Sequence, residues 1–185
     1  MTATLYLIRH ASPDRTRTDL DYHTLPGPGL TPEGHIEATR IGQFLAPLNL
    51  AKVCASPFER AMETAWAIGV ILGLRAKSYY ALSEWARTDT IDTVKARLLP
   101  FLDEMCVRCA ERGPIALVTH GWIIRTILEE CGMDADELAH YCNQFDTQNP
   151  CPCAGVWKVT YDDDGYTCEL VYTPEPFVKY EKVAA

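Results

Sequence analysis

Near its start the chain reads Thr4-Leu5-Tyr6-Leu7-Ile8-Arg9-His10, an apolar run that ends in an arginine and a histidine. A second run, Ile115-Ala116-Leu117-Val118-Thr119-His120-Gly121, has the same design. Short continuous apolar runs of this kind predict buried strands of a parallel sheet. Because the carboxyl ends of parallel strands lie at one edge of the sheet, where α/β proteins bind ligands, we expect both imidazoles there. Two imidazoles and an arginine at such an edge favour a phosphate ester as the ligand.

Helix patterns alternate with strand patterns along the rest of the chain. A Ser or Thr followed by proline marks two helix starts, at Thr31-Pro32 and at Ser56-Pro57-Phe58-Glu59. Two further helical patterns run from Ile91 to Cys109, where Pro100 predicts a kink or a split, and from Trp122 to Cys131. This alternation is typical of a parallel sheet that is covered by helices.

The remaining strand patterns complete the predicted sheet. Lys52–Ala55 and Ser78–Leu82 read as short strands, and Gly155–Tyr161 and Tyr166–Tyr172 read as a hairpin around Asp162-Asp163-Asp164-Gly165. We therefore expect a single domain over residues 1–185. Its fold class is a three-layer α/β/α sandwich with a mostly parallel sheet and a C-terminal hairpin at one edge.

Composition limits the function classes. The 185 residues carry a formal net charge of −8, which argues against nucleic acid and anionic membranes as partners. No apolar run approaches the ~18 residues of a membrane-spanning helix. The start, Met1-Thr2-Ala3-Thr4, lacks the basic and apolar segments of a signal peptide, so the expected location is the cytoplasm. Any positively charged site must be local.

Five short segments follow one another in an informative order. They are Leu7-Ile8-Arg9-His10-Ala11, Leu30-Thr31-Pro32-Glu33-Gly34, Ser56-Pro57-Phe58-Glu59-Arg60-Ala61-Met62-Glu63-Thr64-Ala65, Leu82-Ser83-Glu84 and Val118-Thr119-His120-Gly121. In this order they resemble the histidine phosphatase superfamily, which includes phosphoglycerate mutase-like members. The ordered set covers most of the chain, from Leu5 to about Leu128.

The resemblance implies a role for five residues. His10 is the implied nucleophile, which attacks phosphorus and becomes a phosphohistidine. Arg9, Arg60 and His120 are implied to hold the phosphoryl oxygens. Glu84 is implied to protonate the leaving oxygen and later to take a proton from the attacking water. The implied activity is hydrolysis of a phosphomonoester or phosphoramidate, with no metal and no cofactor.

Elementary chemistry supports these roles. A neutral imidazole is a good nucleophile near neutral pH, because its ordinary pKa is about 6.5. Guanidinium groups bind oxyanions bidentately, and the first turn of a helix, where Arg60 is predicted, also favours an anion. Since these groups supply positive charge, a metal is not needed. Glu84 is useful as an acid if partial burial beside Trp85 raises its pKa.

The loop after His10 departs from the commonest family form. That form continues with Gly, an acidic residue, Thr or Ser, and further on an Asn that assists phosphate binding. The corresponding residues here are Ala11, Ser12, Pro13 and Thr16. The candidate substrate contacts are Thr16, Arg15 and Arg17, one of which is expected to replace that Asn, and Gly121.

Phosphatase activity fits better than mutase activity. The Gly and Trp-Glu-Gly signals that usually follow the acid are missing from 85–89, and the chain lacks the long insert of cofactor-dependent mutases. The expected substrate is a small phosphorylated metabolite or a phosphoprotein, whose leaving group the sequence leaves open along with the oligomeric state. Phosphoglycerate mutase-type phosphoryl transfer stays as an alternative.

Two other function classes remain open. The eight cysteines include two close pairs, Cys106-x-x-Cys109 and Cys151-Pro152-Cys153, which allow a metal or redox module. Cys106 and Cys109 also fit the apolar side of the Ile91 helix, where cysteine acts as a small hydrophobic residue. An inactive family-like binding scaffold is the third hypothesis, and the presence of all five residues argues against it.

Overall fold

The computed structural model describes residues 2–145 and 148–175. Within them, one sheet contains the strands β1 (Ala3–Arg9), β2 (Lys52–Ala55), β3 (Ala76–Ser78), β4 (Ile115–Thr119), β5 (Val156–Asp162) and β6 (Gly165–Tyr172). The α-helices are α1 (Pro32–Leu45), α2 (Glu59–Leu72), α3 (Ile91–Arg112), α4 (Gly121–Glu130) and α5 (Ala135–Phe145). Two short 3-10 helices occupy Ala46–Leu48 and Tyr80–Leu82.

The strand order β3-β2-β4-β1-β5-β6 confirms the predicted sheet. β1 pairs with β4 in parallel, β4 with β2, and β2 with β3. β5 pairs antiparallel with β1, and β6 returns antiparallel along β5, so the C-terminal hairpin lies at one edge as expected. The turn between them spans the predicted 162–165.

Helices cover both faces of the sheet, which confirms the three-layer arrangement. Tyr6 and Ile8 of β1 belong to a core with buried residues of α1 and α2. Leu5 and Leu7, which point to the opposite face, belong to a second core with buried residues of α3, α4 and α5. Because both faces are buried, β1 and β4 are apolar along their whole length. Within the described residues, no helix is both long and apolar enough to cross a membrane.

Two local predictions at the second helix and third strand are wrong. Ser56 does not cap α2, which begins at Glu59 with Phe58 as its N-cap, since the Ser56 hydroxyl accepts a hydrogen bond from the Phe58 amide instead. The predicted strand Ser78–Leu82 is shifted, because β3 ends at Ser78 and a 3-10 helix follows. β3 ends at Ser78 because the neighbouring strand β2 also ends there. Ala55, the last residue of β2, pairs with Ser78, and strand pairing between β2 and β3 does not continue beyond this pair.

The helix predictions differ from the structure at two further places. α3 continues through Pro100 without splitting. Buried residues on both sides of the proline, Leu98 and Phe101, pack into the core and hold the two halves together. α5 was not predicted, although three of its residues, Leu138, Cys142 and Phe145, are buried at helical spacing.

Side-chain hydrogen bonds fix the loop that follows His10. The Ser12 amide donates to Glu37 at 2.7 Å, and the Ala11 amide donates to the Thr64 hydroxyl at 3.0 Å. Thr31 caps α1 by accepting a hydrogen bond from the Gly34 amide at 2.9 Å, as predicted, and its hydroxyl lies 3.3 Å from the Ser12 carbonyl oxygen. Residues at the start of α1 therefore hold this loop in place.

The Thr31 cap generates a stability prediction. Thr31→Ala removes a side-chain acceptor from a helix N-terminus, which typically costs about 0.5–2 kcal/mol. We expect that decrease in the free energy of unfolding, measured by urea denaturation. Thr39→Ala is the matched control, because Thr39 is exposed within the same helix and its hydroxyl donates to the His35 carbonyl one turn earlier. Equal effects of the two changes would contradict the capping role.

Candidate active site

The pairing of β1 with β4 brings the two histidines together. The register pairs Arg9 with Thr119, and the His10 amide donates to the Thr119 carbonyl at 2.9 Å. The His10 and His120 ring centroids are consequently 5.2 Å apart. Both residues are buried at the carboxyl edge of the sheet, where the sequence predicted them.

The His10 ring is held in an orientation suited to a nucleophile. Its Nδ1 lies 2.8 Å from the carbonyl oxygen of Ala11, which can only accept, so Nδ1 carries the proton. Nε2 therefore keeps its lone pair. Burial, together with the charges of Arg60 and Arg9, lowers the pKa of His10 well below its usual value. The imidazole is neutral at physiological pH.

His120 makes contacts through both ring nitrogens. Nε2 lies 2.8 Å from the Ser56 hydroxyl oxygen, and Nδ1 lies 3.3 Å from an Arg60 Nη2 nitrogen and 3.5 Å from Glu84 Oε2. Because the arginine can only donate, Nδ1 is the acceptor and Nε2 carries the proton. Burial, and then the charge of Arg60, lowers the pKa of His120 well below its ordinary value.

Two arginines place positive charge beside the imidazoles. Arg60, the second residue of α2, is fully buried and donates to the Tyr22 carbonyl at 3.2 Å. Its Nε has no hydrogen-bond partner within the described part of the chain. Arg9 is also buried, and its Nη1 donates to the Cys151 carbonyl at 2.7 Å. Each guanidinium group thus donates to a backbone carbonyl oxygen.

Glu84 is buried beside this charge. Its Oε2 lies 3.9 Å from Arg60 Nη2, and its Oε1 accepts a hydrogen bond from the Trp85 amide at 3.1 Å. Burial raises the pKa of the Glu84 carboxyl, and the charge of Arg60 opposes that change in part. The structure thus brings together all five residues to which the resemblance gave roles.

Tyr22 is a cavity residue that the sequence gave no reason to select. Its hydroxyl lies 3.5 Å from His10 Nε2. Its ring lies between two guanidinium groups, with Arg60 Cζ 4.1 Å and Arg15 Cζ 4.7 Å from the ring centroid. Burial raises the pKa of the phenol, so the hydroxyl stays protonated at neutral pH and is able to donate. An aromatic residue in an otherwise polar loop was the only available signal.

A cavity of about 270 Å³ opens next to these groups. Its lining residues are Arg9, Arg15, Tyr22, His23, Glu84, Gly121, Trp122, Gln148 and Asn149. Of the candidate substrate contacts, Arg15 and Gly121 line it. Thr16 and Arg17 do not, because their side chains bond to neighbouring carboxylates of the exposed loop, Asp14 at 2.6 Å and Asp19 at 2.8 Å.

Gly121 allows the backbone at the start of α4 to lie close to the Asn149 side chain in this cavity. A Cβ atom at this position would lie 1.9 Å from the Asn149 side-chain oxygen, so any larger residue would displace that side chain. Asn149 is buried and provides an amide in the cavity. No motif surrounds it in the sequence, and only the return of the chain after α5 places it there.

The cysteines do not form a metal centre in the part of the chain that is described. Across residues 2–145 and 148–175, no three His, Cys, Asp or Glu side chains are grouped so as to hold an ion. Cys109 is in the core, and its thiol lies 3.0 Å from the Thr4 carbonyl oxygen, in agreement with the packing interpretation. Cys151 and Cys153 are also buried.

Comparisons with known proteins give one family and one fold. The model of the histidine phosphatase superfamily (branch 1) matches residues 5–91. A mycobacterial glucosyl-3-phosphoglycerate phosphatase has a similar structure, with a TM-score of 0.71 and 17% identity over 92% of this chain and 98% of that chain. No curated protein matches the sequence significantly.

Two further solved structures are similar. A phosphoglycerate mutase from Bacillus anthracis has a TM-score of 0.74 and 18% identity, with 92% of each chain covered. A putative alpha-ribazole-5'-P phosphatase from Escherichia coli has a TM-score of 0.73 and 17% identity over 92% of this chain and 97% of that chain. These structures show that the chain has the phosphoglycerate mutase-like fold, and residues 5–91 match the histidine phosphatase superfamily model.

Proposed function

We propose that this protein is a metal-independent phosphatase that hydrolyses a phosphomonoester or phosphoramidate through a phosphohistidine at His10. The observation that carries the proposal is the state of the His10 ring. Nδ1 is bonded to a backbone carbonyl, while Nε2 keeps a lone pair and lies 3.5 Å from the hydroxyl of Tyr22, which lines the same cavity as Arg9. The similar structures, a glucosyl-3-phosphoglycerate phosphatase and a phosphoglycerate mutase among them, are compatible with phosphoryl transfer.

The charges around His10 suit the first step. A phosphate dianion repels nucleophiles, and the guanidinium groups of Arg9 and Arg60 reduce that repulsion. A bound dianion also favours protonation of His120, since its negative charge offsets the positive neighbours that lower the pKa of the free imidazole. Tyr22, whose hydroxyl lies 3.5 Å from Nε2, adds a neutral donor for a phosphoryl oxygen.

Glu84 supplies the proton that the leaving oxygen needs. As Nε2 bonds to phosphorus, the P–O bond to the alcohol breaks and the Glu84 proton passes to the alkoxide. The resulting carboxylate then takes a proton from water as that water attacks the phosphohistidine, which frees His10 and releases phosphate. A carboxyl with a raised pKa suits both halves of this cycle.

The proposed intermediate generates the first test of function. Enzyme quenched during turnover of a ³²P-labelled phosphate ester should retain the label in base and lose it in acid, as a phosphoramidate requires. His10→Ala should abolish both labelling and turnover. His140→Ala is the matched control, because His140 is an exposed residue of α5 that lies outside the cavity. A His10→Ala enzyme that still turns over would refute the nucleophile.

The role of Glu84 predicts a dependence on the leaving group. General acid catalysis typically contributes about 10²–10⁴-fold. Glu84→Gln should lower kcat for an alkyl phosphate by a factor in that range, because the alkoxide needs a proton. It should lower kcat for nitrophenyl phosphate much less, because nitrophenolate leaves largely unaided. Alkyl-phosphate turnover by the unaltered enzyme should also decline as pH rises through the raised pKa of Glu84, since the acid must be protonated.

The exposed α3 residue Glu104 provides the control for this experiment. Glu104→Gln removes one carboxylate that pairs with Arg108 at the surface, so it should leave both substrates unaffected. An equal loss on both substrates in Glu84→Gln would assign Glu84 to the water step or to structure. No loss on either would place the acid elsewhere.

Metal removal provides an independent test. Because Arg9, Arg60 and His120 supply the positive charge, activity should persist in EDTA. Vanadate and tungstate, which reproduce phosphoryl geometry, should inhibit. If chelation abolished activity and zinc restored it, the cysteine-based alternative would replace this proposal.

A further inference from the structure

A second cavity, of about 280 Å³, adjoins the one that contains the phosphate-binding candidates. We call it the apolar groove, and its lining residues are His23, Thr24, Leu25, Phe58, Tyr80, Ser83, Glu84 and Ala86. His23 and Glu84 line both cavities. The side chain proposed to protonate the leaving oxygen therefore stands at the junction between them.

This junction determines where the leaving group goes. Arg9 lines the first cavity together with Tyr22, whose hydroxyl lies 3.5 Å from His10 Nε2, so the phosphoryl group is placed in that cavity. In a displacement at phosphorus, the nucleophile and leaving oxygen lie roughly in line, on opposite sides of the phosphorus atom. The leaving oxygen must also reach Glu84. The apolar groove lies beyond Glu84, and no arginine is among its lining residues.

The groove has little charge to offer a second anion. Its ionisable lining residues are the acid itself, Glu84, and one exposed imidazole, His23. Arg97 lies behind the Tyr80 ring, with Cζ 5.6 Å from the ring centroid, but it is paired with Asp89 at 3.0 Å. Arg60 lies behind the Phe58 ring, with Cζ 4.7 Å from the ring centroid, but it is fully buried and donates to the Tyr22 carbonyl. A carboxylate or second phosphate on the leaving group would thus lose water without gaining a cation, which is unfavourable.

Two features of the groove favour a ligand that is apolar at the rim and has a polar atom at the end near Glu84. Leu25 and Tyr80 are 46% and 67% exposed at its rim, so an apolar group that covers them removes apolar surface from water. Ser83 is buried in the wall of the groove, and its hydroxyl has no hydrogen-bond partner within the described residues. A ligand oxygen beside Glu84 would satisfy it.

We infer that the apolar groove binds the leaving group, and that the preferred substrates are phosphomonoesters of uncharged, predominantly apolar alcohols. This inference rests on the proposed phosphatase function. The inference requires no further reactant, because the alcohol leaves with the Glu84 proton. The alkyl or aryl part of the alcohol lies against Leu25, Phe58 and Tyr80. The ester oxygen, or a neighbouring hydroxyl, bonds to Ser83.

The test uses n-alkyl phosphates from ethyl to hexyl and a hexyl phosphate that carries a terminal carboxylate. The distant carboxylate leaves the basicity of the departing alkoxide almost unchanged, so the comparison isolates binding in the groove. We expect kcat/KM to rise roughly fourfold for each methylene that becomes fully buried. The carboxylate analogue should fall on the order of tenfold below hexyl phosphate, because its charge finds no partner there.

Two charge-changing variants locate the effect. Leu25→Lys places a cation at the rim and should reverse the preference, so that the carboxylate analogue becomes the better substrate. Val70→Lys makes the same change of charge at an exposed position of α2 outside both cavities, and should leave the preference as it is. Turnover of ethyl phosphate by Val70→Lys should equal that of the unaltered enzyme.

Binding of hexylphosphonate and its carboxylate analogue, measured by calorimetry, separates this inference from the proposed function. Phosphonates lack the cleavable ester bond, so their affinities report on the groove alone. Hydrolysis of all esters without dependence on chain length, or a preference of the unaltered protein for the carboxylate, would overturn the groove inference and leave the phosphatase proposal standing. Tight, length-dependent phosphonate binding without turnover of any ester would support the groove and refute the phosphatase.

Discussion

The parallel pairing of β1 with β4 is the constraint on which the site depends. Each strand is mostly apolar because both of its faces are buried, and a histidine directly follows each of them. Their register places Arg9 opposite Thr119, which sets the two imidazoles 5.2 Å apart. A slip by one residue would turn the buried side chains of one strand to the opposite face. Core packing therefore fixes the relative positions of the His10 and His120 rings.

Burial gives the site its electrostatic character. His10 and His120 are kept neutral by desolvation and by nearby guanidinium groups, while burial favours the protonated form of Glu84. A lowered imidazole pKa and a raised carboxyl pKa both favour the uncharged form of the group, which suits a neutral nucleophile that works with a neutral acid. Arg60 remains charged in the interior because its ordinary pKa is so high. Arg9 and Arg60 thus place two guanidinium groups at this site in a chain of net charge −8.

The helix that begins at Glu59 shows where local reasoning is insufficient. Its start was predicted two residues too early, with Ser56 as a cap. The Ser56 hydroxyl instead lies 2.8 Å from His120 Nε2, a contact between residues far apart in sequence. In the sequence, a serine that caps a helix and a serine that contacts a distant histidine can both precede a proline. Only the neighbour that folding brings to it decides which contact forms.

The sequence alone determined the alternation of strands and helices, the C-terminal hairpin, and five residues, His10, Arg9, Arg60, Glu84 and His120, which the structure brings together. These follow from periodicity and ordered motifs, which are local along the chain. The tertiary structure decided what stands around them, including Tyr22 beside His10, Asn149 against Gly121, and the groove between Leu25 and Tyr80. It also directs the side chains of Thr16 and Arg17 to nearby aspartates. Loop side chains depend on contacts between distant segments, and no local pattern records those contacts.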